Sequence, residues 1–301
     1  MQNTITAIFD HYKQQNEKQT GGRPHLGASI IGKDCDRAIW FDFHWVTEGN
    51  FSGRILRLFE TGHMAEPRFV KNLRSVGVSV DEVDPNTGKQ FSITDHGGHF
   101  QGSLDGLAIG LHENPDEWHV VEFKTHGHKS FAKLVSEGVI ESKPQHYAQM
   151  QIYMHYFKVQ NAYYMAVCKD SDDLYGEIVP YNEQYAEVMI KKAKRIIDAA
   201  QPPEKISQNP SWFVCKFCDH WDVCHGNKIP KRHCRTCAFS TPKDDGSWHC
   251  EKYDNTLTIE AQREGCIGHL FNPYIINANI LDSGENWIAY EFADGTAWQD
   301  G

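Results

Sequence analysis

The chain has 301 residues, 40% of them apolar and 23% charged, with a formal net charge of -10. This is the composition of a globular protein; no apolar run approaches the ~20 residues that span a bilayer, and the acidic balance argues against broad electrostatic adhesion to nucleic acid, though not against a local basic groove or a metal-neutralised carboxylate cluster. The first twenty residues carry no basic stretch leading into an apolar one, so no membrane contact and a cytoplasmic location are expected, and nine cysteines in such a chain read as metal ligands rather than disulfides.

Residues 3–17 form a short amphipathic helix in this reading, and Ser29 caps a second helix running over residues 31–45. A longer helix covers Ile55 to Ser75, where Leu56, Phe59, His63, Glu66 and Val70 recur at helical spacing. Strand-like segments follow at 77–83, 90–94, 99–110 and 117–126, separated by turns at Asn86-Thr87-Gly88 and Asn114-Pro115-Asp116. Pro144 opens a helix over 143–157; two strands at 162–168 and 174–181 and a helix over 182–200 complete the series. The order predicts an α/β fold, a mixed central sheet flanked by helices. Beyond Pro210 the composition changes, with seven of the nine cysteines between 215 and 266. The expected division is a core over residues 1–227 and a small Cys-rich appendage over 228–301, whose tail reads as one β-hairpin without chemistry.

The segment Val120-Val121-Glu122-Phe123-Lys124 carries the first candidate chemistry. Alternation puts Glu122 and Lys124 on one face of a strand and Phe123 on the other. Asp105 ends the preceding strand, so the two carboxylates can meet at one end of a hairpin. Such a pair attracts Mg²⁺ or Mn²⁺, which acidifies a bound water and stabilises charge on a phosphoryl oxygen, while a neighbouring lysine orients or deprotonates the attacking water. On Glu-x-Lys alone, a surface salt bridge is the more common outcome; the Gly-Ser-Leu-Asp-Gly at hairpin distance favours the site.

Asp105 followed by Glu122-Phe123-Lys124 resembles the motif of the PD-(D/E)XK nucleases in its RecB-like and lambda-exonuclease-like form. Gly62, His63 and Glu66 match the upstream helix of that family, and Gln149 to Tyr153 matches its Gln-x-x-x-Tyr motif, with Gln145 one turn earlier. The one departure is Leu104 where the family name has proline. The resemblance covers about residues 25 to 225. It implies a restriction-endonuclease-like core and catalysis by Asp105, Glu122, Lys124, Glu66, His63, Gln149 and Tyr153. Mg²⁺ or Mn²⁺ would be held by Asp105, Glu122 and the Phe123 backbone carbonyl, with His63 or Glu66 in addition.

Cys215, Cys218 and Cys224 stand as C-x2-C-x5-C, and Cys35 lies far upstream. Four thiolates suit Zn²⁺ or an iron–sulfur cluster, and spacing does not choose. One cysteine before the core and three after it resembles the iron–sulfur nucleases, among them AddB-type subunits and CRISPR-associated exonucleases, and implies a [4Fe-4S] cluster. Arg37 is either a phosphate contact or a structural ion pair. Cys234, Cys237, Cys250 and Cys266 read as a structural zinc knuckle, with His233, His249 and His269 as possible substitutes. Lys228, Lys231, Arg232 and Arg235 around it are either phosphate contacts or solvated charges. Cys168 reads as a buried free thiol.

The resemblance implies a metal-dependent exonuclease acting on DNA ends or single strands, encoded by a phage or mobile element and working in the host cytoplasm in recombination, repair or DNA processing, with a single-strand annealing protein or other recombination partner. A structure-specific or restriction-type endonuclease is the alternative within the chemistry. A catalytically silent nucleic-acid-binding module is the alternative outside it.

Overall fold

A computed structural model describes residues 3–17, 22–47, 49 and 51–301. In chain order its elements begin with α1 (Thr4–Glu17), β1 (Leu26–Gly27), α2 (Asp36–Phe43) and α3 (Gly53–Ser75). The strands β2 (Ser79–Asp81), β3 (Ser92–Asp95), β4 (Phe100–Ser103), β5 (Gly106–Ile109) and β6 (His119–His126) follow. Next come α4 (His128–Ser142), α5 (Pro144–Phe157), β7 (Asn161–Cys168), β8 (Leu174–Pro180) and α6 (Glu183–Asp198). The Cys-rich part holds the single-turn helices α7 (Phe213–Lys216) and α8 (Trp221–Cys224), strands β9 (Ser240–Pro242), β10 (Trp248–Cys250) and β11 (Asn255–Leu257), and α9 (Ile259–Glu264). The chain closes with β12 (Asn279–Gly284), β13 (Trp287–Glu291) and β14 (Ala297–Asp300).

The central sheet has the order β2-β5-β6-β7-β8. Only β6 and β7 run parallel; the other pairs are antiparallel. The parallel pair requires a crossover, and α4 and α5 supply it. The mixed α/β expectation therefore holds. Strand β6 carries apolar residues on both faces because both are covered. Val120 joins the larger core beneath α4, α5 and α6, whereas Val121 and Phe123 join a second cluster with Phe69, Val70 and Leu73 of α3. Phe123 stacks on Phe69, ring centroids 5.0 Å apart.

Local chemistry sets the helix boundaries. The Ser52 hydroxyl accepts from the Ile55 amide and starts α3; Asn182 accepts from Tyr185 and starts α6. Pro144 occupies the first turn of α5, and Lys158, in the left-handed region at φ 56°, ends it.

Four expectations change. The segment 99–110 is not one strand: it breaks at Leu104-Asp105 into β4, which pairs with β1 and β3, and β5, which joins the central sheet. The second helix starts at Cys35, its N-cap, because residues 28–30 form a separate 3-10 turn. Helix α4 was not anticipated. The tail is a three-stranded meander, not a hairpin.

The larger core does not stop at residue 227. Phe43 of α2 lies against Trp248 of β10 at 5.4 Å, and Ile275, Ile288 and Tyr290 belong to the same cluster as Ile39 and Tyr153. No helix among the described residues is long and apolar enough to cross a membrane.

Candidate active site and cysteine centres

Strand β5 ends its pairing with β6 at Gly106↔Val121. Past that point β6 continues without a partner on this edge. The Phe123 amide is satisfied instead by the Asp105 carboxylate, donating to Oδ2 over 2.7 Å. A residue's N–H and C=O point to the same edge of a strand, so the Phe123 carbonyl faces the edge where Asp105 stands. Glu122 points to the opposite sheet face from Phe123 and is fully buried. Neither of its carboxylate oxygens has a hydrogen-bond partner; its one close polar contact is an ion pair with Lys124.

A carboxylate at zero exposure with a single ammonium partner is costly to ionise. Burial raises the Glu122 pKa to about 7, with Lys124 opposing and Asp105 adding to the rise. For Lys124 burial works against the charge, yet Glu122 and Asp105 outweigh it and hold its pKa above the usual lysine range. The lysine is therefore a firmly protonated ammonium. Glu66 of α3 is raised by partial burial and by Asp105. It turns toward the same cluster, and His63, mostly exposed, stands 3.4 Å from it on the outer side. Pro67, inside α3, lacks the amide that would bond the His63 carbonyl.

Helix α5 roofs the site. The Gln149 side-chain amide donates to the Tyr153 hydroxyl at 3.3 Å, and both residues are buried. The Tyr153 pKa is pushed up by burial and then by Glu122. Tyr153 reaches β4 because position 102 is glycine: a Cβ there would lie 2.8 Å from Tyr153 Cε1 and 2.8 Å from Ala28 Cβ. Gln145 donates to the Ser29 carbonyl at 2.6 Å and ties the helix to the turn after β1.

The structure thus brings Glu66, Asp105, Glu122, Lys124, Gln149 and Tyr153 together, with His63 at the margin. It adds three neighbours that sequence reasoning missed. Tyr164, level with Glu122 in the β6–β7 register, lies 2.8 Å from His126 Nε2 and 2.9 Å from His146 Nδ1 through its hydroxyl. Burial lowers the two histidines to about 4 and about 3, so both are neutral. Strand alternation was the available signal: His126 is two residues beyond Lys124 and shares its face.

Cys35, Cys215, Cys218 and Cys224 all line one cavity of about 600 Å³, whose wall also includes His146. Cys234, Cys237, Cys250 and Cys266 line another of about 20 Å³. All nine cysteines are free thiols, and Cys168 is buried. Among the described residues no group of three or more His, Cys, Asp or Glu side chains is drawn together tightly enough to hold a metal ion. The thiols nonetheless feel one another. Burial and then Cys237, Cys266 and Cys250 raise Cys234 to about 11; burial and then Cys35 raise Cys215. His233 Nε2 lies 3.0 Å from the Trp45 carbonyl, and His249 faces Asp254 at 3.3 Å and Glu251 at 3.9 Å. His269, lowered to about 4 by burial, does line the small cavity.

Several basic residues turn out to be structural. Arg37 donates to the carbonyls of Pro203 (3.1 Å) and Tyr274 (2.8 Å) and faces the Cys224 thiol, so it ties segments together. Arg235 is not a phosphate contact: it is 2% exposed, stacked 3.7 Å from the Trp45 ring centroid and 4.5 Å from that of Trp248. Its guanidinium donates to Gln262 Oε1 (2.9 Å) and to the carbonyls of Phe43 (2.8 Å) and Pro24 (2.8 Å). Arg232 pairs with the buried Asp300 at 2.6 Å.

A two-strand cleft carrying acid, acid and ammonium under a Gln/Tyr helix defines a class, and comparison supplies it. A sequence model of the PD-(D/E)XK nuclease superfamily matches residues 44–241, more than half of the chain, and the protein belongs to that superfamily. Among solved structures it is similar to an alkaline exonuclease from Laribacter hongkongensis, LHK-Exo, at 16% identity, with 57% of this chain and 86% of that one covered and a TM-score of 0.41. The complex of that exonuclease with dAMP gives the same figures. A second similar structure, of SSO0001, has 13% identity, covers 75% of this chain and 98% of that one, and has a TM-score of 0.43. No curated protein matches the chain.

Proposed function

We propose that this protein is a divalent-metal-dependent deoxyribonuclease that hydrolyses phosphodiester bonds at DNA ends, in recombination, repair or phage DNA processing in the cytoplasm. The observation that carries the reading is Glu122: a fully buried carboxylate whose one close partner is the Lys124 ammonium, beside Asp105. Such a group fits a cation ligand better than a structural salt bridge, since Lys124 alone leaves its lone pairs unsatisfied. Asp105, Glu122 and the Phe123 carbonyl would hold Mg²⁺ or Mn²⁺, with Glu66 better turned toward them than His63. Bound there, the ion supplies a more acidic water and charge stabilisation at the phosphoryl oxygens.

The remaining work falls to the chain. Lys124, its ammonium paired with Glu122, would orient the attacking water or steady the developing negative charge. The Phe123 amide fixes one Asp105 oxygen and leaves the other free. Tyr153, buried near Glu122 and bonded by Gln149, would limit water at the carboxylate.

The cysteine sets fit two different groups by size. About 600 Å³ beside Cys35, Cys215, Cys218 and Cys224 has room for a [4Fe-4S] cluster. About 20 Å³ between Cys234, Cys237, Cys250 and Cys266 suits a single ion such as Zn²⁺. Residues 1–227 would carry the cleft and the first centre and residues 228–301 the second, on one shared core, and a single-strand annealing protein or other recombination partner would work with them. Incubating end-labelled linear and closed circular DNA with Mg²⁺ or Mn²⁺ tests the reading. Loss of linear DNA from its ends with circles intact supports an exonuclease; cutting of circles makes it an endonuclease.

A further inference from the structure

Beside the first cysteine set the surface is unusually aromatic. Phe213 and Phe217 on either side of Lys216 are 74% and 70% exposed, and Trp212 is 52% exposed. The two phenyl rings meet edge to face at 5.5 Å, and the Lys216 ammonium lies 5.6 Å from the Phe217 centroid. A folded chain rarely leaves three adjacent large aromatics to water without a use. Their neighbourhood is also cationic, in a chain of net charge -10. Arg37, Lys143 and Lys205 line the cavity under these rings; they donate to oxygens of Pro203 and Tyr274, of Ser130 and Ser142, and of Asn277. Arg37 and Lys205 also face the Cys224 thiol, and Asp34 and Asp219 share the wall, so the cation set directly against the exposed rings is Lys216.

A largely buried hydrogen-bond chain leads from this cavity toward the candidate active site. His146 lines the same cavity and, through the Tyr164 hydroxyl, bonds to His126, two residues beyond Lys124. We propose that Phe213 and Phe217, aided by Trp212 and Lys216, form a stacking platform for the bases of a DNA single strand beside the cleavage site. The proposal rests on the deoxyribonuclease reading. Exposed rings interleaved with cations suit single strands because every base offers a π-face, whereas a duplex hides its own. Recognition is therefore indifferent to sequence and dependent on the presence of bases.

The test is metal-free equilibrium binding of the full-length protein to labelled oligothymidylate and to an abasic deoxyribose-phosphate strand of equal length. The wild-type protein is expected to bind the thymidine strand about tenfold more tightly or better. Phe213→Leu and Phe217→Leu keep apolar cover over the cysteines but remove the rings. Each should cut the thymidine affinity by roughly fivefold or more, with abasic binding, iron content and salt dependence unchanged. Equal binding of the two strands by wild type, or Leu variants that bind thymidine like wild type, overturns the proposal. If a Leu variant sheds iron, Phe217→Trp decides: thymidine affinity at or above wild type supports stacking, and weakened affinity refutes it. Stacking preference without Mg²⁺-dependent cleavage would defeat the nuclease reading alone; cleavage without stacking preference would defeat this inference alone.

Discussion

The Phe123 amide donates to Asp105 Oδ2 over 2.7 Å, and this bond replaces a rung that the sheet ladder no longer provides. It fixes an acid in the bend between β4 and β5 against the strand that carries Glu122 and Lys124. The chain break that ends one strand thus places the residue that completes the cleft.

That placement depends on Gly102, four residues before β5. Gly102→Ala would push a methyl group to 2.8 Å from Tyr153 and Ala28. The expected cost is about 1–3 kcal/mol of stability, with a larger loss of cleavage because Tyr153 roofs the site. Denaturant unfolding and initial rates on linear DNA check both; an Ala variant with wild-type stability would mean that Tyr153 can move aside.

Glu122 gives a pH signature. Its folded pKa, about 7, lies above the ordinary carboxylate value because of burial. The folded state therefore holds a proton that the unfolded state releases, and this contribution is complete below the unfolded pKa and is lost as pH rises through about 7. In chelator, Glu122→Gln should raise Tm relative to wild type, by a margin that widens between about pH 5 and about pH 8. Saturating Mg²⁺ should raise the wild-type Tm at the upper end and leave the variant unmoved. A Tm gap independent of pH would contradict the buried, singly partnered carboxylate.

Arg235 joins the Cys-rich segment to the core. Arg235→Ala would strip the Phe43 and Pro24 carbonyls and Gln262 of a donor and leave a void between Trp45 and Trp248. A loss of roughly 3 kcal/mol or more is expected. Arg235→Lys should recover little, since a single ammonium nitrogen lacks the planar reach to these three separated acceptors and the flat face that stacks on Trp45 and Trp248. The salt dependence of DNA binding should stay as in wild type; a shallower slope would restore a phosphate role.

The two cysteine centres separate by metal analysis. Cys218→Ala should cost the iron and the brown colour of anaerobically purified protein while keeping zinc, and Cys237→Ala should do the reverse. Because burial raises both thiols, uptake of either metal should weaken as pH falls. Zinc at both sites in a colourless protein would contradict the cluster.

Much of this was legible in the sequence. The Glu122/Lys124 face, the helical spacing of α3 and the Pro144 start of α5 follow from local periodicity, which survives folding. What stayed hidden depends on long-range contacts. That Asp105 ends a strand was legible, but nothing local shows that the segments on its two sides join different sheets. In α4 the apolar positions Phe131, Leu134, Val135 and Val139 have helical spacing, but Gly138, at φ 73°, interrupts the pattern. Arg235 reads as a surface charge until Trp45 and Trp248, far apart in sequence, close over it. The Tyr164–histidine contacts exist only through the parallel register of β6 and β7.

The most direct measurement is single-turnover cleavage of end-labelled linear DNA by wild type and Lys124→Ala at saturating Mg²⁺, with DNA binding followed in parallel. Expected is Mg²⁺-dependent cleavage by wild type, and at least a ~10²-fold loss of rate in the variant with binding retained. Cleavage by Lys124→Ala at the wild-type rate would contradict the assignment of this cleft as the active site.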